Sequence, residues 1–248
     1  MTSLTAGNGG FIYGAAFYGN NNLKNLNLGM DINIEPDTFS LSAYYDYMCN
    51  SRKAGTYDNS VSYTEKTEGD YRFIQTKYGA VITQYTGDEG NRLQIPRQLG
   101  GAAVTGIDRY RTDRYNSNSG YIWDGAFSGK SVSRMQLPEG LAFIGDSAFY
   151  GNQLTGVTIP DSVTSIGSSA FSSNQLTSVI LGNGVTSIGS YAFSENKLTS
   201  VIIGNYVSIG NRAFGSYYGD SFVTFYNEQG SKAGTYTLNK GSWSVVYR

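Results

Sequence analysis

The sequence contains no histidine and a single cysteine, Cys49, among its 248 residues. Histidine is the commonest general base and the commonest metal ligand, so the usual routes to an active site or a metal centre are missing. One cysteine cannot form an internal disulfide or a Cys-based zinc site, and the simplest interpretation of Cys49 is a small buried hydrophobic side chain. Serines are abundant, but no local motif supports a serine–lysine pair in place of a histidine base.

Charge and long apolar runs are also scarce. Charged residues make up 15% of the chain, and 18 basic side chains stand against 19 acidic ones. Nucleic-acid binding depends on a basic patch, so no nucleic-acid partner is expected. No run of 18 apolar residues is found, which predicts no membrane span, and the first ten residues lack the features of a signal peptide. We predict a non-enzymatic protein with no catalytic residues, no metal and no cofactor.

Glycine and tyrosine are plentiful, at 32 and 21 residues, whereas proline occurs only 4 times. Many glycines with few prolines are typical of an ordered chain with many tight turns. The apolar fraction of 40% is large enough for a real core. The organisation of these residues along the chain is therefore the informative feature.

An Ala-Phe pair recurs in steps of 22, 22, 22 and 21 residues. Its phenylalanines are Phe127, Phe149, Phe171, Phe193 and Phe214. Columns of Ile, Leu, Val and Asn keep the same phase, among them Ile144, Ile166, Ile188 and Ile209, and Asn152, Asn174 and Asn196. Several columns in one register indicate a repeat architecture in which each unit buries its apolar face against its neighbours.

The unit that begins at Leu154 shows how one repeat should fold. Val157 and Ile159 alternate with Gly156 and Thr158, which predicts a short strand with one face buried, and Pro160 ends it. The segment 163–166 predicts a second short extended piece. The segment 168–171 is too short for an α-helix and predicts a single helical or 3₁₀ turn that directs its phenylalanine inward.

The pattern L-T-x-V-x-I-P-x-x-V-T-x-I-G-x-x-A-F-x-x-N resembles the BspA-like leucine-rich repeats, also called the Treponema pallidum type, of bacterial surface proteins. The similarity covers Gly79 to about Phe225. It implies a β-rich leucine-rich-repeat solenoid of short strands and one-turn helical or 3₁₀ segments, with a period of 22 residues and hairpin-like caps. It also implies a cell-surface or extracellular location and attachment to host extracellular matrix or to another cell surface.

A five-residue segment, Lys53-Ala-Gly-Thr-Tyr57, reappears 179 residues later as Lys232-Ala-Gly-Thr-Tyr236. Both copies follow repeats and precede segments rich in Tyr, Val and Thr, which predict hairpin caps. We therefore expect residues 1–77 to be the C-terminal part of a first array plus its closing cap. Residues 78–225 would form a complete second array and residues 226–248 its closing cap, in a fragment of a longer modular protein.

Two surfaces are candidates for binding a protein. Strand alternation places a first set outward: Arg92, Gln94, Arg134, Gln136, Thr158, Ile180 and Ile202. The second set lies in an insertion, residues 108–124, which breaks the period and should form a loop: Arg109, Tyr110, Arg111, Arg114, Tyr115, Tyr121 and Trp123. Two simpler interpretations remain open, namely that the loop is solvated without a partner and that exposed isoleucines only favour strand geometry.

The favoured function is adhesion, in which the strand face and the insertion bind a host or partner macromolecule, as the family resemblance implies. One alternative is a structural spacer without a ligand of its own. Another is a carbohydrate-binding module that uses Tyr and Trp platforms. The spacer predicts that the insertion can be deleted without loss of function, whereas the carbohydrate module predicts saturable glycan binding that Trp123→Ala abolishes.

Overall fold

The structure is a computed structural model that describes residues 3–6, 11–12, 25–28, 33–34, 48, 55–58, 64–88, 92–116, 120–215 and 221–248. Its strands, in chain order, are β1 (Ser3–Ala6), β2 (Phe11–Ile12), β3 (Asn25–Leu28), β4 (Asn33–Ile34), β5 (Gly55–Asp58), β6 (Glu65–Glu68), β7 (Tyr71–Thr76), β8 (Gly79–Tyr85), β9 (Arg92–Gln94), β10 (Gln98–Leu99), β11 (Ala102–Ile107), β12 (Arg109–Asn116), β13 (Gly120–Gly125), β14 (Arg134–Gln136), β15 (Phe143–Ile144), β16 (Gly156–Thr158), β17 (Ser165–Ile166), β18 (Ser178–Ile180), β19 (Ser187–Ile188), β20 (Ser200–Ile203), β21 (Ser208–Ile209), β22 (Gly234–Asn239) and β23 (Ser242–Tyr247). A helix, α1, spans Ser221–Glu228.

Each complete repeat contributes one strand to each of two sides of the solenoid. The sheet on the first side, which we call the long sheet, runs in the order β21–β19–β17–β15–β11–β8–β7–β6, with β10 paired to β11. On the other side β9 pairs with β14, and a further sheet runs β16–β18–β20–β22–β23. Successive units pair in parallel and in register, so Val157 lies beside Val179 and then Val201. The predicted β-rich solenoid with a 22-residue period is therefore confirmed.

The core between the two sides is a stack of the repeated apolar columns. The rings of Phe127, Phe149, Phe171, Phe193 and Phe214 stack with centroids 5.1–5.2 Å apart and interplanar angles of 4–14°. The four from Phe127 to Phe193 are fully buried. One unit could not bury such a ring alone, so the array is stable only as a stack.

The predicted helical turn at Phe149, Phe171 and Phe193 consists of two successive hydrogen-bonded turns. The Ala170 amide donates to the Gly167 carbonyl at 3.4 Å, and the Ser172 amide donates to the Ser169 carbonyl at 3.1 Å. Both bonds span three residues, as in a 3₁₀-helix. The turns do not merge into a helix because Ser169 has a left-handed backbone with φ of 56°.

The asparagine column forms a buried ladder that links successive units. The Asn174 amide nitrogen lies 3.0 Å from the Phe149 carbonyl and 3.1 Å from the Phe171 carbonyl, so it donates to two units at once. Its side-chain oxygen accepts from the Leu154 amide at 3.1 Å. Asn152 and Asn196 repeat these contacts one unit away on either side. The column thus satisfies backbone groups that the turns leave without partners in the core.

Glycine follows the long-sheet strands β15, β17, β19 and β21 because neighbouring turns approach too closely for a side chain. A Cβ at Gly167 would lie 2.5 Å from the Asp146 backbone nitrogen, whereas a Cβ at Gly156 would lie no closer than 3.5 Å to Ser178. We expect Gly167→Ala to lower the free energy of unfolding by about 1–3 kcal/mol through overpacking. Urea titration followed by circular dichroism would measure the change.

Gly156→Ala is the matched control, since it adds the same methyl group on a strand with room for it. We expect this variant to leave stability unchanged or to raise it by up to about 1 kcal/mol. Equal losses of stability in both variants would show that the close approach at Gly167 has no special cost.

The C-terminal cap confirms the predicted hairpin and adds a helix that the sequence pattern did not reveal. Strands β22 and β23 pair antiparallel, and β22 pairs antiparallel with β20. Helix α1 buries Phe222 and Tyr226 against the last repeat. Burial raises the pKa of Tyr226, and burial also raises the pKa of Tyr236 to about 12. Trp243 packs on Phe222 with ring centroids 5.1 Å apart, which gives this tryptophan a role in the cap.

A second hairpin, formed by β6 and β7, covers the opposite end of the long sheet. Strand β7 pairs antiparallel with β8, the first strand of the second array. A boundary after residue 77 therefore cuts a hydrogen-bonded sheet, because β7 pairs with β8 of the second array and β6 pairs with β7. We propose that the boundary between the two modules lies ahead of Glu65.

The pairing of the first strands supports two modules of the same design. Strand β1 pairs in parallel with β3 in a register that joins Leu4 to Leu26, again 22 residues apart. Strand β5 carries the first Gly-Thr-Tyr copy and pairs antiparallel with β3, as β22 with the second copy pairs with β20. Cys49, for which a buried position is expected, lies outside the described residues.

Candidate functional site

The predicted outward residues lie on one surface, which we call the strand face and define by β9, β14, β16, β18 and β20. Six of the seven are exposed: Arg92, Gln94, Arg134, Gln136, Thr158 and Ile180. The residues between them, such as Leu93, Val157 and Val179, are buried. The alternation expected of a strand with one buried face is thus present in β9, β16 and β18.

Ile202 differs from its predicted neighbours because it is only half-exposed. Strand β22 of the cap pairs with β20 and brings Thr235 directly beside Ile202. The two isoleucines are therefore not equally exposed as expected. Ile180, which is 40% exposed, is the more accessible of the two.

The register of the cap extends the strand face in a way that sequence alignment of the repeats does not show. Thr235 lies opposite Val246, so a row of β-branched residues runs from Ile180 through Ile202 and Thr235 to Val246. Val246 is 74% exposed. Residues directly opposite each other in a sheet share a face, so the strand face has an apolar row at its cap end.

A concave groove of about 600 Å³ crosses the strand face. Arg92, Gln94, Arg134 and Gln136 line one end, and Ile180 lines the other. A second recess of about 420 Å³ shares Gln94, Gln136, Leu137 and Glu139 with the groove. The structure therefore brings six of the predicted strand-face residues into one depression.

Several groove residues were not among the predicted binding residues. Met135 belongs to a column expected to be buried, but it is half-buried and lines the groove. Strand β14 pairs with β9, and β16 pairs with β18, so the described ladder is interrupted beside Met135. Glu139 and Ser178 also line the groove, and the repeat pattern gave no signal for Glu139.

The groove has a basic end. Arg134 lies opposite Arg92 in register, and Gln136 lies opposite Gln94. Within the part of the chain that the structure describes, neither guanidinium has a carboxylate within ion-pair distance. Glu139 is the acidic residue among the described groove-lining side chains.

The insertion is a β-hairpin and not the predicted loop. Strands β12 and β13 pair antiparallel, with Arg111 opposite Trp123 and Tyr115 opposite Tyr121. The side chains of its seven predicted binding residues, which also include Arg109, Tyr110 and Arg114, lie outside the described residues. The hairpin begins two residues after β11, which is a strand of the long sheet, so the base of the hairpin lies on the long-sheet side. The two predicted binding surfaces therefore start from different sides of the solenoid.

The stacked units, parallel ladders and Phe and Asn columns define the chain as a leucine-rich-repeat solenoid. Residues 114–219 match, in 6 copies, the family described as BspA type Leucine rich repeat region. Residues 114–219 thus match the BspA-type leucine-rich repeats that the sequence pattern predicted. No helix of the described residues combines the length and the apolar character that crossing a membrane requires.

Similar solved structures are bacterial leucine-rich repeat proteins. A T. pallidum leucine-rich repeat protein is 28% identical, over 61% of this chain and 66% of that chain, with a TM-score of 0.49. A leucine rich cell surface protein from Faecalibacterium prausnitzii A2-165 is 23% identical, over 75% of this chain and 62% of that chain, with a TM-score of 0.37.

The pneumococcal vaccine antigen PcpA is 15% identical, over 62% of this chain and 48% of that chain, with a TM-score of 0.40. The chain thus spans slightly less than two thirds of the T. pallidum protein and about half of PcpA. No curated protein sequence matches this chain significantly.

Proposed function

We propose that this chain is a non-enzymatic adhesion module of a bacterial cell surface that recognises a protein partner, such as host extracellular matrix or another cell surface. The partner would bind to the strand face of the solenoid. The single observation that carries the proposal is the groove of about 600 Å³, which collects six predicted outward residues into one concave surface. The BspA-type array supports the location and the binding role as a family expectation.

The chemistry of the groove suits a macromolecular ligand. Arginines and glutamines line one end of the groove and an exposed isoleucine lines the other, so the groove offers charged, amide and apolar contacts to one partner. Arginine is enriched at binding hot spots, and a fixed sheet presents such side chains with little loss of backbone entropy. Binding can therefore be strong although the groove is shallow and open.

The insertion hairpin is proposed as a second contact for the same partner or for another one. Its strands carry Arg109, Tyr110, Arg111, Arg114, Tyr115, Tyr121 and Trp123. Tyr, Trp and Arg dominate the energetics of many interfaces. Because the hairpin starts on the long-sheet side, we expect its deletion to act independently of changes in the groove.

We expect Ile180→Arg to abolish or strongly reduce binding to a protein target, because a long charged side chain would fill the apolar end of the groove. Purified chain would be tested by surface plasmon resonance against a panel of extracellular-matrix proteins, fixed host cells and glycans. A variant without residues 109–122 would be tested in parallel, and each variant would first be checked for folding by circular dichroism.

Tyr150→Arg is the matched control. Tyr150 is 44% exposed, close to the 40% of Ile180, but it lies in the turn after Phe149 and does not line the groove. Equal binding by Ile180→Arg, Tyr150→Arg and the unmodified chain would contradict the strand-face proposal. Absence of binding across the panel would favour the spacer, and binding to glycans alone would favour the carbohydrate module.

A further inference from the structure

We infer that the groove binds an extended acidic segment of a protein, with carboxylates held by Arg92 and Arg134 and an apolar side chain placed against Ile180. The inference deepens the proposed function and rests on it, since it names the chemistry of the partner at the same face. It follows from the charge pattern, the register of the strands and the apolar row.

The two arginines repel each other, and no described carboxylate offsets this repulsion. They lie opposite each other in a parallel ladder, both are exposed, and neither has a described carboxylate partner. Like charges directly opposite each other in a sheet are destabilising. Two carboxylates of a ligand would relieve this repulsion and would form charge-assisted hydrogen bonds with the guanidinium groups.

The side chains beside the arginines add neutral hydrogen-bonding groups. Gln94 and Gln136 form the second outward row of the same two strands, and both line the groove. Their amides can donate to and accept from the backbone of an extended segment. The chain as a whole has a formal net charge of −1, so the positive charge at this end of the groove is local.

The length of the groove sets the spacing that the ligand should have. Successive units lie 5.2 Å apart in the phenylalanine stack, so the path from β14 over β16 to β18 covers about 10 Å across the strands. The 22-residue period aligns Arg134 with Ser178, so Ile180 also lies two residues, about 7 Å, further along its strand. The direct distance is then about 12 Å, and an extended peptide rises about 3.3 Å per residue, so about four residues separate a carboxylate at Arg134 from an apolar side chain at Ile180. The ligand is therefore an acidic segment followed closely by an apolar one.

A peptide fits these features better than a sulfated polysaccharide does. A sulfated polysaccharide gains most from a dense basic surface, whereas the described groove residues supply two arginines and one acidic side chain, Glu139. The apolar end at Ile180 would also remain unused by a sulfated sugar. Binding of such a polysaccharide is therefore an outcome that would overturn the inference.

The test uses the full chain and a fluorescein-labelled peptide. The peptide contains two glutamates followed by two leucines, with one serine between each of these residues and the next. We expect fluorescence anisotropy to show saturable binding that weakens as salt rises from 0.1 to 0.5 M. A peptide with glutamine in place of glutamate should bind about tenfold more weakly or not at all, since two charge-assisted hydrogen bonds are lost. A heparin fragment is the competing probe.

Arg92→Gln/Arg134→Gln should lower affinity for the glutamate peptide by about tenfold, because the same charge-assisted bonds are removed from the protein side. Lys197→Gln/Arg248→Gln removes two exposed positive charges outside the groove and should leave affinity unchanged. The inference is overturned by no binding of the glutamate peptide, by equal affinity in both double variants, or by binding of heparin alone.

Failure of this inference can be separated from failure of the proposed function. If a protein target binds the unmodified chain and Ile180→Arg weakens it, but Arg92→Gln/Arg134→Gln does not, the strand face binds its partner without acidic recognition. If no protein target binds and the glutamate peptide also fails, both the function and the inference are wrong.

Discussion

Phe171→Ala is expected to lower the free energy of unfolding by about 3–5 kcal/mol, the usual cost of removing a buried aromatic ring. Phe171 is fully buried and stacks on Phe149 and Phe193 with ring centroids 5.2 Å from each. The variant would leave a cavity in the middle of the column and remove both stacking contacts. Urea denaturation followed by circular dichroism would measure the loss.

The position of the ring in the array determines which repeat units are destabilised when the ring is removed. In a solenoid each unit is stabilised by its neighbours, so a defect in the middle weakens the units on both sides. Phe214 ends the stack and is only half-buried, so Phe214→Ala should cost less than Phe171→Ala. If Phe171→Ala does not fold, Phe171→Leu keeps most of the apolar volume and allows the comparison. Equal costs at both positions would contradict the stacked column as the centre of the core.

Asn174→Ala is expected to lower the free energy of unfolding by about 2–4 kcal/mol, although it changes a small polar side chain. The buried Leu154 amide would lose its acceptor, and an unsatisfied buried donor costs about 1–3 kcal/mol. The carbonyls of Phe149 and Phe171 would lose one donor each but keep the neighbouring asparagines. Thermal and urea unfolding of the variant would measure the effect.

Two neighbours of Asn174 provide controls for this prediction. Gln175 is exposed, so Gln175→Ala should change stability by no more than about 0.5 kcal/mol. Asn196 makes the same set of bonds but is half-buried near the end of the array, so its replacement by alanine should cost less than Asn174→Ala. A loss at Asn174 no larger than that at Gln175 would show that the ladder contributes nothing to stability.

The repeat spacing alone was sufficient to predict the core. Columns of Phe, Ile and Val at 22-residue intervals can be aligned by eye, and stacking follows because one unit cannot bury its apolar face. The asparagine column was equally visible in the sequence. Its role could not be predicted from spacing, because its hydrogen bonds join turns from adjacent units. Strand alternation also located the outward residues Arg92, Arg134 and Ile180.

Features that depend on long-range pairing or on weak local patterns could not be predicted. The sequence of segment 109–125 does not alternate regularly between apolar and polar residues, so it did not predict the hairpin that the structure contains. Helix α1 is only eight residues long and shows no repeat spacing. The apolar row that ends at Val246 depends on how the cap pairs with β20, which no repeat column encodes.

The most direct test of binding through the strand face is site-specific photo-cross-linking to a protein target identified in the binding panel. A photoreactive residue would replace Gln136, which is exposed in the groove, or Gln153, which is exposed in the segment before β16 and does not line the groove. We predict a cross-link to the target from position 136 and none from position 153. A cross-link from position 153 alone would contradict the account, because the partner would then lie away from the strand face.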